Sequence, residues 1–187
     1  MEATREDAWR ILTKHTQSES LIKHALAVEA AMRAYARHFG EDEEKWGIVG
    51  LLHDFDYEKH PDPSEHPMFG AGILEARGYP ADVIYAIKSH ADYLGLPRKS
   101  RMDKTLFAVD ELCGFLVAVA LVRPGKVIAD LPLKSVKKKL KDKAFARSVS
   151  REDIHEGARD LEVELGAHIQ FVTKALAGIA ADLDLAG

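Results

Sequence analysis

The sequence predicts an all-α fold, a bundle of about seven to nine helices. Three observations lead to this prediction. Apolar residues recur at three- and four-residue steps over most of the chain, and no run shows the apolar–polar alternation of a strand. Alanine, leucine, lysine and glutamate are plentiful, whereas aromatic residues make up 7%. With 187 residues, the chain is long enough for one domain with a sizeable core.

The first two helices are predicted from apolar spacing and from end signals. A short helix covers about residues 5–14. A long helix follows, with Ser18 or Ser20 as its cap, and runs to Phe39, where Gly40 is a stop signal.

Three shorter helices are predicted in the middle of the chain. Asp42 caps the third helix. Two prolines make residues 55–65 a loop, and the fourth helix opens at the end of this loop with His66 in its first turn. It ends at Gly78, and the fifth helix covers about residues 81–91.

The remaining helices differ in character along the chain. A sixth, strongly apolar helix covers about residues 102–122. Residues 134–151 are rich in lysine and arginine and contain a single acid. Ser150 with Asp153 resembles a capping box and predicts a further helix, and a last helix covers about residues 162–183.

Composition excludes several classes of protein. The net charge of −4 is unfavourable for general nucleic-acid binding. A single cysteine, Cys113, excludes an internal disulfide and a cysteine-based zinc cluster, and fits a reducing compartment. The N-terminus lacks the apolar core of a signal peptide, and the longest apolar run, Leu112 to Val122, is too short to span a bilayer. We therefore expect a cytoplasmic protein without a membrane contact.

The chemistry is predicted to centre on His53 and Asp54, which end the apolar run Ile48 to Leu52. Burial of such a pair is costly unless a partner compensates it, and imidazole and carboxylate groups are both good ligands for divalent transition metals. Asp110 lies within a similarly apolar stretch and also needs a partner.

Six residues near helix ends or on apolar stripes are candidate metal ligands, and all except the adjacent pair come from different helices. They are His24, His53, Asp54, His66, His90 and Asp110. A lone histidine on an apolar face is more often a hydrogen-bonded core residue. Helical bundles, however, build metal sites from inward side chains of several helices. One shared metal site explains the six residues better than six unrelated positions do.

The order of these residues resembles the HD-domain superfamily of metal-dependent phosphohydrolases. The resemblance consists of His24 on a helix, the pair His53 and Asp54 after an apolar helix, and Asp110 within Ala-Val-Asp-Glu-Leu. It is closest to the HDIG type, although Phe55 follows the pair where the motif-bearing phosphodiesterases have Ile-Gly-Lys. It assigns no substrate.

The resemblance also implies an architecture. It covers about residues 18–122 and implies an HD-domain-like helical bundle. Residues 130–183 would then be accessory C-terminal helices within a single domain that spans residues 1–187.

The ligand set follows from the same resemblance. Members with one metal hold it with residues that correspond to His24, His53, Asp54 and Asp110. Members with two metals add two histidines, and His66 and His90 fit those places. The resemblance thus implies one or two divalent ions (iron, manganese, zinc, cobalt or nickel), with Asp54 and His53 at the catalytic centre and Asp54 as the bridge.

Three functions remain open at this point. The leading one is hydrolysis of a phosphate ester or nucleotide, a small phosphorylated molecule, because a metal activates water and polarises a phosphoryl oxygen. The second is a mixed-valent di-iron oxygenase, since relatives with that chemistry use the same ligand types. The third is a metal- or nucleotide-binding module without turnover. The sequence leaves the oligomeric state open.

Phosphate recognition also calls for cations. Candidates lie near the ligands in sequence or just after the sixth helix: Lys88, Arg98, Lys99, Arg101, Lys104, Arg123 and Lys126. The basic residues 134–151 either fold over the pocket to hold an anion or form a solvated amphipathic face, with Val136 and Leu140 inward. Asp56, Glu58 and Asp92 are each either a ligand orienter or, more simply, a solvated loop acid.

Overall fold

A computed structural model describes residues 4–187 and confirms the all-α prediction. The described part of the chain holds nine α-helices, a 3₁₀ turn at Asp92–Leu94, and one isolated β-bridge between Val127 and Ala186. The helices are α1 Arg5–His15, α2 Glu19–Phe39, α3 Glu43–Leu52, α4 Met68–Ala76, α5 Ala81–Ser89, α6 Arg101–Leu121, α7 Leu133–Lys141, α8 Arg151–Asp160 and α9 Leu165–Ala177.

Local end signals set most of these bounds. The side chain of Asp42 accepts a hydrogen bond from the backbone N–H of Lys45 at the start of α3. Ser100 and Asp103 form a reciprocal capping box at the start of α6. Gly40 ends α2 with φ of 71°, a left-handed conformation that glycine adopts without a steric penalty.

The structure corrects the predicted ends of three helices. α4 begins at Met68, so His66 precedes it; a residue before proline, here Pro67, is disfavoured in the helical conformation. α5 ends at Ser89, which makes His90 its cap residue. α9 begins only at Leu165, because Glu164 caps it, and it ends at Ala177.

Two long helices, α2 and α6, pack together at the centre, and the other helices surround them. α3 crosses α2 closely at Gly50, where a Cβ atom would lie 2.9 Å from the Cα of Glu29. α8 approaches α6 in the same way at Gly157, where a Cβ atom would lie 2.5 Å from the Cα of Ala108. The end of α3 also contacts the middle of α6.

The basic residues 134–151 include all of α7 except its first residue, and α7 is amphipathic. Val136 and Leu140 are buried, and most lysines of this helix face solvent. Among the described residues, no helix combines the length and the hydropathy needed to cross a membrane.

Candidate metal centre

The pair at the end of α3 stands at the centre of the candidate site. His53 follows the last residue of α3 and is fully buried. Its Nδ1 atom bonds to the carbonyl of Gly50 at 2.7 Å, and its Nε2 atom lies 3.5 Å from Oδ2 of Asp54. The helix end therefore directs both side chains toward α2 and α6.

The long helices complete a first group of ligand atoms. His24 of α2 places Nε2 at 3.0 Å from Oδ1 of Asp110 on α6 and at 4.0 Å from Oδ2 of Asp54. The Nε2 atom of His53 lies 3.4 Å from the same oxygen of Asp110. One ligand atom from each of His24, His53, Asp54 and Asp110 lies within 4.8 Å of the others, a spacing that could hold one metal ion.

The other oxygen of Asp54 belongs to a second group. His66 and His90 place their Nε2 atoms at 3.3 and 3.2 Å from Oδ1 of Asp54. These three ligand atoms also lie within 4.8 Å of one another. All six residues proposed from the sequence therefore meet, and Asp54 is shared by the two groups.

Three of the histidines are held in the orientation that metal ligands require. The Nδ1 atoms of His53 and His90 bond to the carbonyls of Gly50 and Ile87, and that of His66 bonds to Oδ1 of Asp56 at 2.8 Å. An imidazole that donates through Nδ1 presents an unprotonated Nε2 to a metal ion, and such outer contacts are typical of metal-ligating histidines.

The chemistry of these donors fits a divalent ion. Oδ1 of Asp54 is buried and lacks a hydrogen-bond partner among the described residues, although the Nε2 atoms of His66 and His90 are close. A buried carboxylate oxygen without a partner is costly, and a cation between these three atoms would compensate it.

Comparison with known proteins agrees with this geometry. The model of the HD domain family matches residues 21–113, a range that includes all six candidate ligands. The chain carries an HD domain. HD domains bind divalent metals and define a superfamily of metal-dependent phosphohydrolases, so the resemblance found in the sequence is confirmed.

Matches among curated proteins lie in one part of much longer chains. Ribonuclease Y of Oleidesulfovibrio alaskensis is 30% identical over 109 residues, and Ribonuclease Y of Nitratidesulfovibrio vulgaris is 31% identical over 109 residues. In both cases the match covers 58% of this chain and 19% of the relative. No solved structure matches this chain significantly.

Opposite charges in the HD domain shift the pKa values of the ligands. Burial disfavours protonation of His66, but the carboxylates of Asp54 and Asp56 outweigh it and raise its pKa to about 9. Burial likewise disfavours ionisation of Asp54, yet the charge of His53 and the contacts with His66 and His90 hold its pKa well below the usual range. Without a metal the site thus retains protons, which metal binding would release.

Asp56 is a residue whose role the sequence left open. Its side chain is buried at 1% exposure, so it is not a solvated loop acid. It accepts hydrogen bonds from Nδ1 of His66 and, at 2.7 Å, from the backbone N–H of Gly70. A Cβ atom at Gly70 would lie 2.9 Å from Cγ of Asp56. The position of Asp56, two residues after Asp54 and ten before His66, is the only sequence signal for this contact.

The other two acids differ from Asp56. Glu58 is exposed and accepts hydrogen bonds from the backbone N–H groups of Gln17 and Ser18, so it stabilises the link between α1 and α2. Asp92 lies at the edge of the metal centre and pairs with Arg98 at 2.9 Å.

A cleft of about 470 Å³ opens onto the metal centre. Its walls include the exposed rings of Tyr57 and Tyr93, and the phenolic O–H of Tyr93 donates to the carbonyl of His66 at 2.7 Å. Glu111 and Asp153 also line it; burial and the neighbouring Asp110 raise the pKa of Glu111 to about 7. Glu111 is a site residue that the sequence pattern does not predict, because it differs from Asp110 only by its place on the helix.

The cations proposed for substrate binding lie elsewhere. Among residues 4–187, no lysine or arginine lines the cleft. Arg98 is held by Asp92, Glu156 and Asp160, and Lys88 lies 3.6 Å from Glu75. Lys99 lies over the ring of Tyr85, and Arg101 lies over the ring of Phe39. Lys104 is half-buried on α6. Arg123 and Lys126 line two other cavities. Their role with substrate stays a prediction without support from these positions.

Proposed function

We propose that this chain is a metal-dependent phosphohydrolase that acts on a small phosphate ester or nucleotide through a dinuclear centre. The observation that carries the proposal is the sharing of Asp54 between two groups of ligand atoms. Its two oxygens face different histidines, which is the arrangement a carboxylate needs to bridge two ions. His24, His53 and Asp110 would complete one coordination sphere, and His66 and His90 the other.

Bound divalent ions would supply Lewis acidity toward a phosphoryl oxygen and lower the pKa of water. The residues of the chain orient the ligands and shape the cleft. The carbonyls of Gly50 and Ile87 and the carboxylate of Asp56 fix the tautomers of three histidines. Tyr57 and Tyr93 bound the cleft on the side of His66 and restrict how a substrate enters it.

The charge of the cleft favours a small substrate. The relatives are named Ribonuclease Y, and cleavage of RNA breaks the same kind of phosphate ester bond. Long nucleic acids, however, are bound largely through lysine and arginine contacts with successive phosphates. A cleft lined by Asp92, Glu111 and Asp153 among the described residues offers no such contacts. We therefore propose that the substrate places one phosphate group at the metal centre and is not a long nucleic acid.

Elemental analysis combined with an activity assay tests this function. We expect about two transition ions per chain and hydrolysis of p-nitrophenyl phosphate or its bis-ester. The His66→Ala/His90→Ala double variant should lose one ion and most activity, whereas His155→Ala, at an exposed position on α8, should lose neither.

Other results would contradict the proposal. Protein that contains no metal and takes up none would favour a binding module without turnover. Bound iron together with oxygen consumption on addition of substrate, and no phosphatase activity, would favour the oxygenase alternative.

A further inference from the structure

A second cavity, of about 1030 Å³, continues from the metal cleft. The two cavities share five lining residues: Leu21, His24, Gly114, Ser148 and Val149. His24 belongs to the first group of ligand atoms, so the larger cavity, here called the α6 groove, starts at that end of the metal centre. The tyrosines of the cleft lie near His66, in the second group.

One face of α6 forms the floor of the α6 groove. Gly114, Val117, Ala118 and Leu121 line it, and they follow Asp110 at helical spacing. At a rise of 1.5 Å per residue, this face runs about 16 Å from Asp110 to Leu121. Leu121 is 45% exposed, whereas the opposite face of α6 is buried in the core. A helix that is apolar on all sides is normally buried on all sides, whereas this face of α6 is partly exposed to solvent.

Most of the charges around the α6 groove are paired. Lys23 lies 2.5 Å from Glu19 and also pairs with Asp184, and these three residues form one edge of the groove. Lys126 also lines the groove; the pKa of Asp184 is lowered mainly by the hydrogen bond from Lys23 and to a smaller extent by the charge of Lys126. The groove therefore offers apolar surface and few free charges, which matches an uncharged apolar group better than a second phosphate.

From this continuity we infer that the substrate is a phosphate ester whose alcohol part is an extended apolar group, and that this group lies in the α6 groove while the phosphate lies at the metal centre. The inference rests on the proposed phosphohydrolase function. It makes Val117, Ala118 and Leu121 the residues that determine specificity for the alcohol part.

Calorimetry with metal-loaded protein and alkylphosphonates of increasing length tests the inference without turnover. The probes are methyl-, butyl- and octylphosphonate, which keep the phosphoryl group but cannot be hydrolysed at an ester bond. Burial of each added methylene should lower Kd by about two- to fourfold. Leu121→Gln should weaken octylphosphonate binding by about tenfold and leave methylphosphonate binding unchanged.

Val122→Gln is the matched control, because Val122 is the next residue, is 59% exposed and lines a different cavity. Ala118→Trp, which fills the groove, is the second variant should Leu121→Gln fail to fold. A wild-type Kd that does not change with chain length would overturn the inference, as would a chain-length effect that survives both groove variants. A loss of oligomeric mass in Leu121→Gln, with unchanged octylphosphonate affinity, would instead assign the groove to a second copy of this chain.

The same experiment separates the two proposals. Methylphosphonate that binds without a gain from longer chains would overturn only the groove assignment. Methylphosphonate that fails to bind, together with no hydrolysis of short phosphate esters, would contradict the phosphohydrolase function itself.

Discussion

At the scale of single residues, Asp54 connects the two halves of the candidate metal centre. Its Oδ2 atom lies 3.5 Å from His53, and its Oδ1 atom lies 3.3 Å from His66 and 3.2 Å from His90. A carboxylate has two equivalent oxygens that can each bind a metal ion, whereas an imidazole whose Nδ1 atom donates a hydrogen bond has only one nitrogen left for a metal. Replacement of Asp54 by histidine would therefore not preserve a site for two ions.

Asp56 is expected to control metal affinity without touching the metal. In Asp56→Asn the side chain has one acceptor oxygen for two donors, His66 and Gly70, so His66 loses its fixed orientation. We expect metal affinity to fall by about 10- to 100-fold, measured by chelator competition. Asp62→Asn, an exposed acid of the same loop, is the control.

Gly70→Ala provides an independent check on this role. The new methyl group would lie within 3.0 Å of the Asp56 carboxylate and displace it. Its metal affinity should therefore fall in the same direction, and unchanged affinity in both variants would contradict a positioning role for Asp56.

At the scale of helices, the contact between α6 and α8 depends on Gly157. Any side chain there would overlap the backbone of Ala108, two residues before Asp110. We expect Gly157→Ala to lower the free energy of unfolding by about 1–3 kcal/mol, as overpacking does, measured by urea denaturation. Gly72→Ala on α4, where a methyl group meets open space, should instead stabilise the protein by about 0.5–1 kcal/mol. Equal effects of the two substitutions would rule out the close approach as the cause.

His168 fixes α9 against α2 and α6. Its Nε2–H donates to the carbonyl of Ala108 at 2.9 Å, and its Nδ1 accepts from the O–H of Tyr35 at 2.6 Å. Burial lowers the pKa of His168 below its usual 6.5. The unfolded chain therefore binds a proton at this residue that the folded chain does not, and the contribution of His168 to stability falls as the pH drops below about 6.5.

His168 should make one identifiable contribution to the pH dependence of stability. His66 and Glu111, whose pKa values are raised in the folded protein, act in the opposite direction and are unchanged in a His168 variant. We expect the change in unfolding free energy from pH 7 to pH 5 to be less unfavourable in His168→Gln than in the wild type, measured by urea denaturation of chelated protein. His155→Gln, at an exposed position, should keep the wild-type dependence. The same pH dependence in His168→Gln as in the wild type would contradict a contribution from His168.

At the scale of the whole molecule, metal binding should contribute to stability. The candidate ligands come from α2, α6, the ends of α3 and α5 and the turn before α4, so two ions there would hold five parts of the chain together. With free metal at 100 times Kd, the gain is about 2.7 kcal/mol, which for a chain of this size is about 5–10 °C in Tm. We expect chelation to lower Tm by this amount, measured by calorimetry. An unchanged Tm after verified metal removal would contradict metal binding by these six ligands as a source of stability.

The sequence by itself determined the all-α fold, most helix bounds and the identity of the six candidate ligands. These features depend on local signals: helical spacing of apolar residues, capping side chains such as Asp42 and Ser100, and the cost of placing His53 and Asp54 after an apolar run. Each signal acts within a few residues of the chain and can be identified without a partner.

Only the tertiary structure decided how the remaining chemistry is arranged. The burial of Asp56, the absence of the proposed cations from the cleft and the continuity of the α6 groove with His24 all depend on contacts between residues far apart in sequence. A carboxylate in a polar loop has the same local sequence pattern whether it is solvated or bonded to His66 and Gly70. Its environment is fixed by helix packing, which local spacing does not encode.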